Sequence, residues 1–290
     1  VSGSSGFVGS KLVNKLIESG HEVIGIDKVE NPATNLETHI IDLKDPSLNE
    51  LIPNNSHIFH LGAMSTDGEC RANPVGAIEA NILGTTNLVN ILNSKQGTSM
   101  SFASSEWVYP EKVSDDVDSE DDELSLQNLN SLYAMTKLFD ENLIRSVAKF
   151  PYSIFRFGII YGPRKNPGSA LEKIVETVIK SDVISVGSGK TSRRYIHVDD
   201  LIKGLLNYEK CLDASNFDIY NITGDELISL KDIINCTLEL SEKNISVLDE
   251  EKIPSIRNPL NTKFKNVVGW EPEIAIKQGI IQIMDEIYSA

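Results

Sequence analysis

The apolar positions in the N-terminal half of the chain change period repeatedly. Leu12, Val13, Leu16 and Ile17 fall at helical spacing within residues 11–19, and Gly20 ends the run. Short β-rich runs follow at residues 21–27, 38–42 and 57–61, and again at 99–103 and 152–157. Helices are expected near residues 73–93 and 131–150. Strands that alternate with helices pair in parallel through crossover connections, so the pattern predicts a doubly wound α/β sheet.

After Tyr161 this rhythm is lost, and Gly162, Pro163, Pro167 and Gly168 mark a loop that leaves the sheet. The expected division is residues 1–161 with about 195–222 as one domain. A smaller α/β region is expected to take about 162–194 and 223–290. The acidic stretch 115–123 reads as a mobile, solvated loop without chemistry. Val1 stands directly against a glycine-rich turn with no Met before it, so the first residues of a strand are expected upstream.

Composition narrows the function classes. The 290 residues are 40% hydrophobic and carry a net charge of −15 without a basic patch, which argues against nucleic acid as a partner. No apolar run approaches the roughly 20 residues needed to span a bilayer, so no membrane role is expected. Cys70, Cys211 and Cys236 show neither metal-ligand nor redox spacing. No metal site is expected, and a reducing cytoplasm fits best.

Gly3, Gly6 and Gly9 form a Gly-x-x-Gly-x-x-Gly turn between a strand and a helix. Lacking Cβ atoms, such residues let the backbone approach a pyrophosphate, and the free N–H groups of the helix start stabilise the anion. Asp27 ends the next β-run at the distance expected of an acid that binds a ribose, and a carboxylate there favours NAD over NADP. Two alternatives stay open: Asp27 as a simple strand-end turn residue, and Lys28 as a base that pairs with a 2′-phosphate.

Tyr133 and Lys137 stand four apart in an expected helix and so share a face. A nearby ammonium favours phenolate, which suits Tyr133 to moving a proton to or from a hydroxyl. Ser105 follows the run 99–103, where an open parallel sheet presents side chains to its ligand, and its hydroxyl can bridge a reacting oxygen and Tyr133.

Further motifs lie in order along the chain: Asp42-Leu43, His60-Leu-Gly-Ala63, Asn81 with Gly84-Thr85, Ser104-Ser-Glu-Trp-Val-Tyr109, Tyr133-Ala-Met-Thr-Lys137 and Tyr161-Gly-Pro-Arg164. Arg193-Arg-Tyr-Ile-His-Val-Asp-Asp200, Tyr220-Asn-Ile-Thr-Gly224 and Gly269-Trp-Glu-Pro272 complete the set. With these motifs the chain resembles, almost end to end, the NAD-dependent epimerase/dehydratase family of extended short-chain dehydrogenases/reductases, many of which act on nucleotide sugars.

The resemblance implies a Rossmann sheet, NAD as cofactor, a nucleotide-sugar substrate and a homodimer packed through helices at residues 81–93 and 133–149. It implies cofactor contacts from Gly3, Gly6, Phe7, Val8, Gly9, Asp27, Lys28, Asp42, Leu43, Leu61, Ala63, Asn81, Tyr133 and Lys137. Ser105, Tyr133 and Lys137 would be catalytic, and Ser105, Glu106, Arg193 and Arg257 would contact substrate. The chain departs from the family pattern in two places. Trp107 occupies the position where dehydratases carry an acid and some reductases a cysteine, and Ile159 stands where several epimerases carry an asparagine. The expected activity is therefore 4-epimerisation by transient oxidation. An NAD(P)H-dependent reductase or dehydratase of a keto sugar or other small carbonyl, and a non-catalytic dinucleotide-binding protein, are the alternatives.

Overall fold

The computed structural model describes residues 1–31, 36–212 and 217–289. In chain order its elements begin with α1 (Phe7–Glu18), β1 (Gly25–Asp27), β2 (Thr38–Ile40), α2 (Leu48–Leu51), β3 (His57–His60) and α3 (Asp67–Ala72). They continue through α4 (Pro74–Ala77), a π-helical turn (Ile78–Leu83), α5 (Gly84–Asn93), β4 (Ser99–Ser105), α6 (Leu132–Val147) and β5 (Tyr152–Phe157). Then come β6 (Ile159–Tyr161), α7 (Ala170–Lys180), β7 (Val183–Val186), β8 (Ser192–His197), α8 (Val198–Lys210) and β9 (Ile219–Ile222). The last are β10 (Leu227–Ser229), α9 (Leu230–Ser241), β11 (Ser246–Asp249), α10 (Thr262–Val268) and α11 (Ile276–Ser289).

Contacts divide these elements into two units. The first comprises Val1–Pro110, Glu123–Arg156 and Leu205–Tyr220. Its strands lie in the order β3-β4-β5-β9, with β1 and β2 forming a parallel pair. Ser2 bridges in parallel to both Ile26 of β1 and His60 of β3, and so joins the two sets where the chain begins. This is the parallel, doubly wound arrangement expected from the alternating pattern. Leu48, Leu88, Leu92, Met100, Phe102 and Ile154 sit in one apolar cluster, where side chains from both sheet and helices are removed from water.

The second unit comprises Glu111–Asp122, Phe157–Gly204 and Asn221–Ala290. It differs from the expected smaller region for a clear reason. β6 pairs in parallel with β8, Ile159 opposite Tyr195, so both strands belong here rather than with the first sheet. The apolar rhythm also returns after the Gly/Pro segment. Ser169 and Glu172 form a capping box for α7, and Leu171, Ile174, Val175 and Val178 pack with residues of α9 and α11. The acidic stretch is not wholly solvated either. Asp118 is buried, its backbone N–H donates to Asn258 O at 3.1 Å, and its carboxylate accepts from Asn258 N at 2.7 Å and pairs with Lys112 at 2.7 Å.

Candidate active site

The glycine turn is packed backbone against backbone. Gly3 has φ +69°, and a Cβ there would lie 2.7 Å from Gly62 N; at Gly9 a Cβ would lie 1.9 Å from Gly3 O. No larger residue fits either place without moving the chain. Gly6 is the N-cap of α1 and, as a glycine, itself offers no side-chain hydrogen bond to the first N–H groups of the helix. Gly6 is exposed, and Phe7 and Val8 are half-buried beside it.

Asp27, at the end of β1, accepts from Ser5 N at 2.9 Å through Oδ2 and from Lys28 N at 2.6 Å through Oδ1. It thus fastens the glycine turn to the strand while staying half-buried. Lys28 Nζ pairs with Asp42 Oδ2 at 3.1 Å. Burial pushes the Asp42 carboxyl up, but the Lys44 amide and the Lys28 and Lys44 ammonium groups outweigh it and hold it below the usual carboxylate range. Leu43, Leu61 and Ala63 are half-buried.

Asn81 is only 1% exposed, and its amide is engaged at both ends. Its Oδ1 accepts from Met64 N at 2.8 Å, and Nδ2 donates to Met64 O at 3.1 Å and to Thr136 Oγ1 at 2.9 Å. The side chain ties the segment after β3 to α6 and so fixes the backbone at Met64.

The three expected catalytic residues all lie in the first unit. Ser131 caps α6 by accepting from Ala134 N at 3.1 Å, and Asp67 of α3 accepts from Ser131 Oγ at 2.8 Å and from Tyr133 N at 3.3 Å. The start of α6 is therefore fixed, and with it Tyr133. The Ser105 hydroxyl at the end of β4 lies beside the Tyr133 phenol. Burial pushes this phenol up to about 12, and the Ser105 hydroxyl pulls it back down. The Trp107 ring meets Tyr133 edge-on, centroids 6.3 Å apart.

One turn further along α6, Lys137 is almost wholly buried; its ammonium donates to Ala103 O at 2.8 Å and lies 4.7 Å from the Phe102 ring centroid. Burial lowers it to about 8, opposed by Asp140, Cys70 and Glu141.

Sequence reasoning missed the ionic frame beneath these residues. Glu141, eight residues after Tyr133 and on the same helix face, accepts from Ser104 Oγ at 2.5 Å and from Arg156 Nε and Nη2 at 3.1 and 2.8 Å. Arg156 also donates to Tyr109 OH at 3.0 Å. The spacing from Tyr133 to Glu141 was visible in the sequence; its partner on β5 was not.

The other three expected substrate residues are all buried. Glu106 is fully buried at the start of a short 3-10 turn, so its carboxylate does not face open space. In the second unit Arg193 donates to Ser192 O at 2.8 Å, to Ser255 O at 2.6 Å and to Ser255 Oγ at 2.7 Å, so its fork is held by its own chain. Arg257 is 4% exposed, with Nη2 3.5 Å from Glu111.

A parallel sheet with a glycine turn at the start of its first helix, and a serine beside a tyrosine with a lysine one helical turn on, define the extended short-chain dehydrogenase/reductase class. Within that class the chain belongs to the NAD dependent epimerase/dehydratase family, whose model matches residues 1–223. It is 27% identical over 97% of its length to UDP-glucuronic acid decarboxylase 4 of Arabidopsis thaliana, and spans 66% of that protein. It is 29% identical over 98% of its length to a putative UDP-glucose 4-epimerase of Methanocaldococcus jannaschii, covering 96% of it. The fold matches that of UDP-glucuronic acid 4-epimerase from Bacillus cereus, solved with UDP-glucuronic acid and NAD, with a TM-score of 0.84 at 22% identity over 99% of this chain and 98% of that one. Among the described residues no helix is long and apolar enough to cross a membrane.

Proposed function

We propose that this protein is an NAD-dependent nucleotide-sugar 4-epimerase. The observation that carries the reading is the Ser105 hydroxyl beside the Tyr133 phenol, with Lys137 one turn further along the same helix. The residues of the glycine turn fit NAD. Gly6 at the start of α1 carries no side chain to compete with a pyrophosphate, Gly3 and Gly9 allow only backbone at the turn, and a carboxylate at Asp27, at the end of β1, suits the adenosine ribose. Lys28 is paired with Asp42, which leaves NAD favoured over a cofactor carrying a 2′-phosphate. NAD held there would supply a reversible hydride acceptor.

As the phenolate, Tyr133 takes the proton of the sugar C4 hydroxyl while the C–H electron pair leaves as hydride, and as the phenol it gives that proton back when the ketone is reduced from its other face. The buried Lys137 charge lowers the cost of the phenolate, and Ser105 holds the reacting oxygen through both steps. Trp107, edge-on to Tyr133, stands where dehydration would need a proton-abstracting acid, which supports simple epimerisation.

The experiment is mass spectrometry of small molecules released from acid-quenched protein, followed by a panel of UDP-sugars. Released NAD and conversion of one sugar to its 4-epimer support the reading. Turnover only with added NADH or NADPH would assign a reductase. Release of carbon dioxide from UDP-glucuronic acid would assign a decarboxylase like the plant relatives, because a 4-keto uronate is a β-keto acid.

A homodimer is proposed with it. Val75, Ile78 and Leu83 around the π-turn, and Phe139 and Val147 on α6, are large apolar side chains 41–67% exposed, and they lie on the helices through which pairing was expected. The free thiols of Cys70, Cys211 and Cys236 support a reducing compartment such as the cytoplasm.

A further inference from the structure

One buried carboxylate near Lys137 has no part in the chemistry above. Asp140 follows Lys137 by three residues on α6, which places the two side chains on one helix face within a turn of each other. Asp140 is fully buried and Lys137 is 3% exposed. Neither Asp140 oxygen meets a donor at ordinary hydrogen-bond geometry among the described residues, and the polar group beside it is the Thr85 hydroxyl of α5.

That hydroxyl meets His60 Nε2 at 2.9 Å; His60 Nδ1 meets Ser2 Oγ at 2.7 Å, which in turn accepts from Gly62 N at 3.2 Å. A polar row therefore runs from the backbone under the glycine turn to Asp140.

A buried anion of this kind is strongly unfavourable unless a cation neutralises it. Arg156 is engaged by Glu141, which leaves Lys137 as the cation acting on Asp140. The other groups facing the pair are silent near neutral pH. His60, from β3, is held neutral by burial at about 3; the Cys70 thiol, from α3, is pushed up by burial; Tyr133 lies far above neutrality. Glu141, on α6, is bound to Arg156 and Ser104. Burial meanwhile drives Asp140 up and Lys137 down, so the two groups move towards each other's range and titrate as a pair.

We propose that Asp140 is a positioning residue acting through Lys137: a carboxylate enclosed in the fold on the same helix face, whose charge favours the ammonium that the Ala103 carbonyl holds in place while Tyr133 exchanges its proton. The proposal rests on the reading of Tyr133 and Lys137 as the catalytic pair. At lower pH Asp140 is a neutral acid, which asparagine mimics in shape. At higher pH it becomes the anion that asparagine cannot supply.

Two readouts test it. The first needs no substrate: the pH dependence of unfolding for wild type, Asp140→Asn, Lys137→Met and the double variant. An acid whose folded pKa is raised contributes stability at low pH and loses it as pH rises to the folded pKa. The advantage of Asp140→Asn over its parent should thus grow with pH and level off near pH 8 while Lys137 is present. With Lys137→Met the levelling should move up by about one unit or more, since an opposite charge at this range shifts a pKa by ~1–3 units. The same levelling pH in both backgrounds would overturn the proposal. If Asp140→Asn fails to fold, Asp140→Ser, which opens room for water, takes its place in the cycle.

The second readout is the pH profile of kcat. Asp140→Asn should match wild type on the acid side and lose activity on the basic side with a midpoint about one unit lower. A uniform loss at every pH would mean a merely structural role and also overturn the proposal. If wild type turns over no nucleotide sugar, the proposed function fails, and the stability cycle still decides the role of Asp140.

Discussion

Lys28 and Asp42 form an ion pair, Nζ to Oδ2 3.1 Å, beyond the ends of the parallel strands β1 and β2. The pair keeps a cation from standing free beside Asp27. Replacing Asp42 by Asn should release Lys28 and raise the affinity for NADP relative to NAD by about tenfold, the scale of one charge-assisted interaction. Titration of the purified variant with both dinucleotides checks this; an unchanged ratio would remove Lys28 from cofactor choice.

Tyr133→Phe keeps the ring that meets Trp107 and removes only the hydroxyl. Turnover of the nucleotide sugar should fall by at least about 10²–10⁴, the usual contribution of a general acid–base group, with NAD retention unchanged. Ordinary turnover by this variant would sink the proposed mechanism.

Gly9→Ala places a methyl group 1.9 Å from Gly3 O, inside any permissible contact. Either α1 or the turn must shift. A loss of roughly 1–3 kcal/mol in unfolding free energy, typical of overpacking, is expected together with loss of bound NAD. Wild-type stability and full NAD occupancy would show that the turn is looser than this structure has it.

His60 is fully buried, and burial lowers it from 6.5 to about 3. For a base depressed in the folded state, the unfolded chain binds more protons between those values. Stability should therefore be complete above about pH 6.5 and be lost as pH falls towards 3, at on the order of 1.4 kcal/mol per unit. Urea unfolding from pH 4 to 7 should show a flatter slope for His60→Gln than for wild type, and equal slopes would place the acid sensitivity elsewhere.

Phe139 is 42% exposed on the helix that carries the catalytic residues, beside none of them. Phe139→Glu should convert a dimer to a monomer in light scattering without unfolding it. A wild-type monomer would remove the proposed interface outright.

The elements of the first unit were legible wherever a periodic stripe coincided with burial. The helix of residues 131–150 was expected and α6 is found at Leu132–Val147, because its inward face repeats at helical spacing from Ala134 to Ile144. Tyr133 and Lys137 could be read for the same reason, since two residues four apart on one helix keep their relation whatever the tertiary fold. Partners distant in sequence could not. Nothing local predicts that Asn81 meets Met64 and Thr136, that Asp118 is buried against Asn258, or that the Arg193 fork is taken by Ser255. The strand expected over residues 21–27 shrinks to Gly25–Asp27, and α3 at Asp67–Ala72 was unforeseen because six residues hold too little periodicity to register.

The wide turn at Ile78–Leu83 carries one more residue per turn than the α-helices on either side of it. Each residue of an α-helix turns the chain by about 100°, so the surplus residue acts as a phase shift between two halves of one rod. With it, Asn81 points inward on one side and Leu88, Val89 and Leu92 point inward on the other. The same residues wound as a regular α-helix would rotate one of those faces by about 100° towards solvent, so the irregularity is the condition under which the anchor and the core are satisfied together.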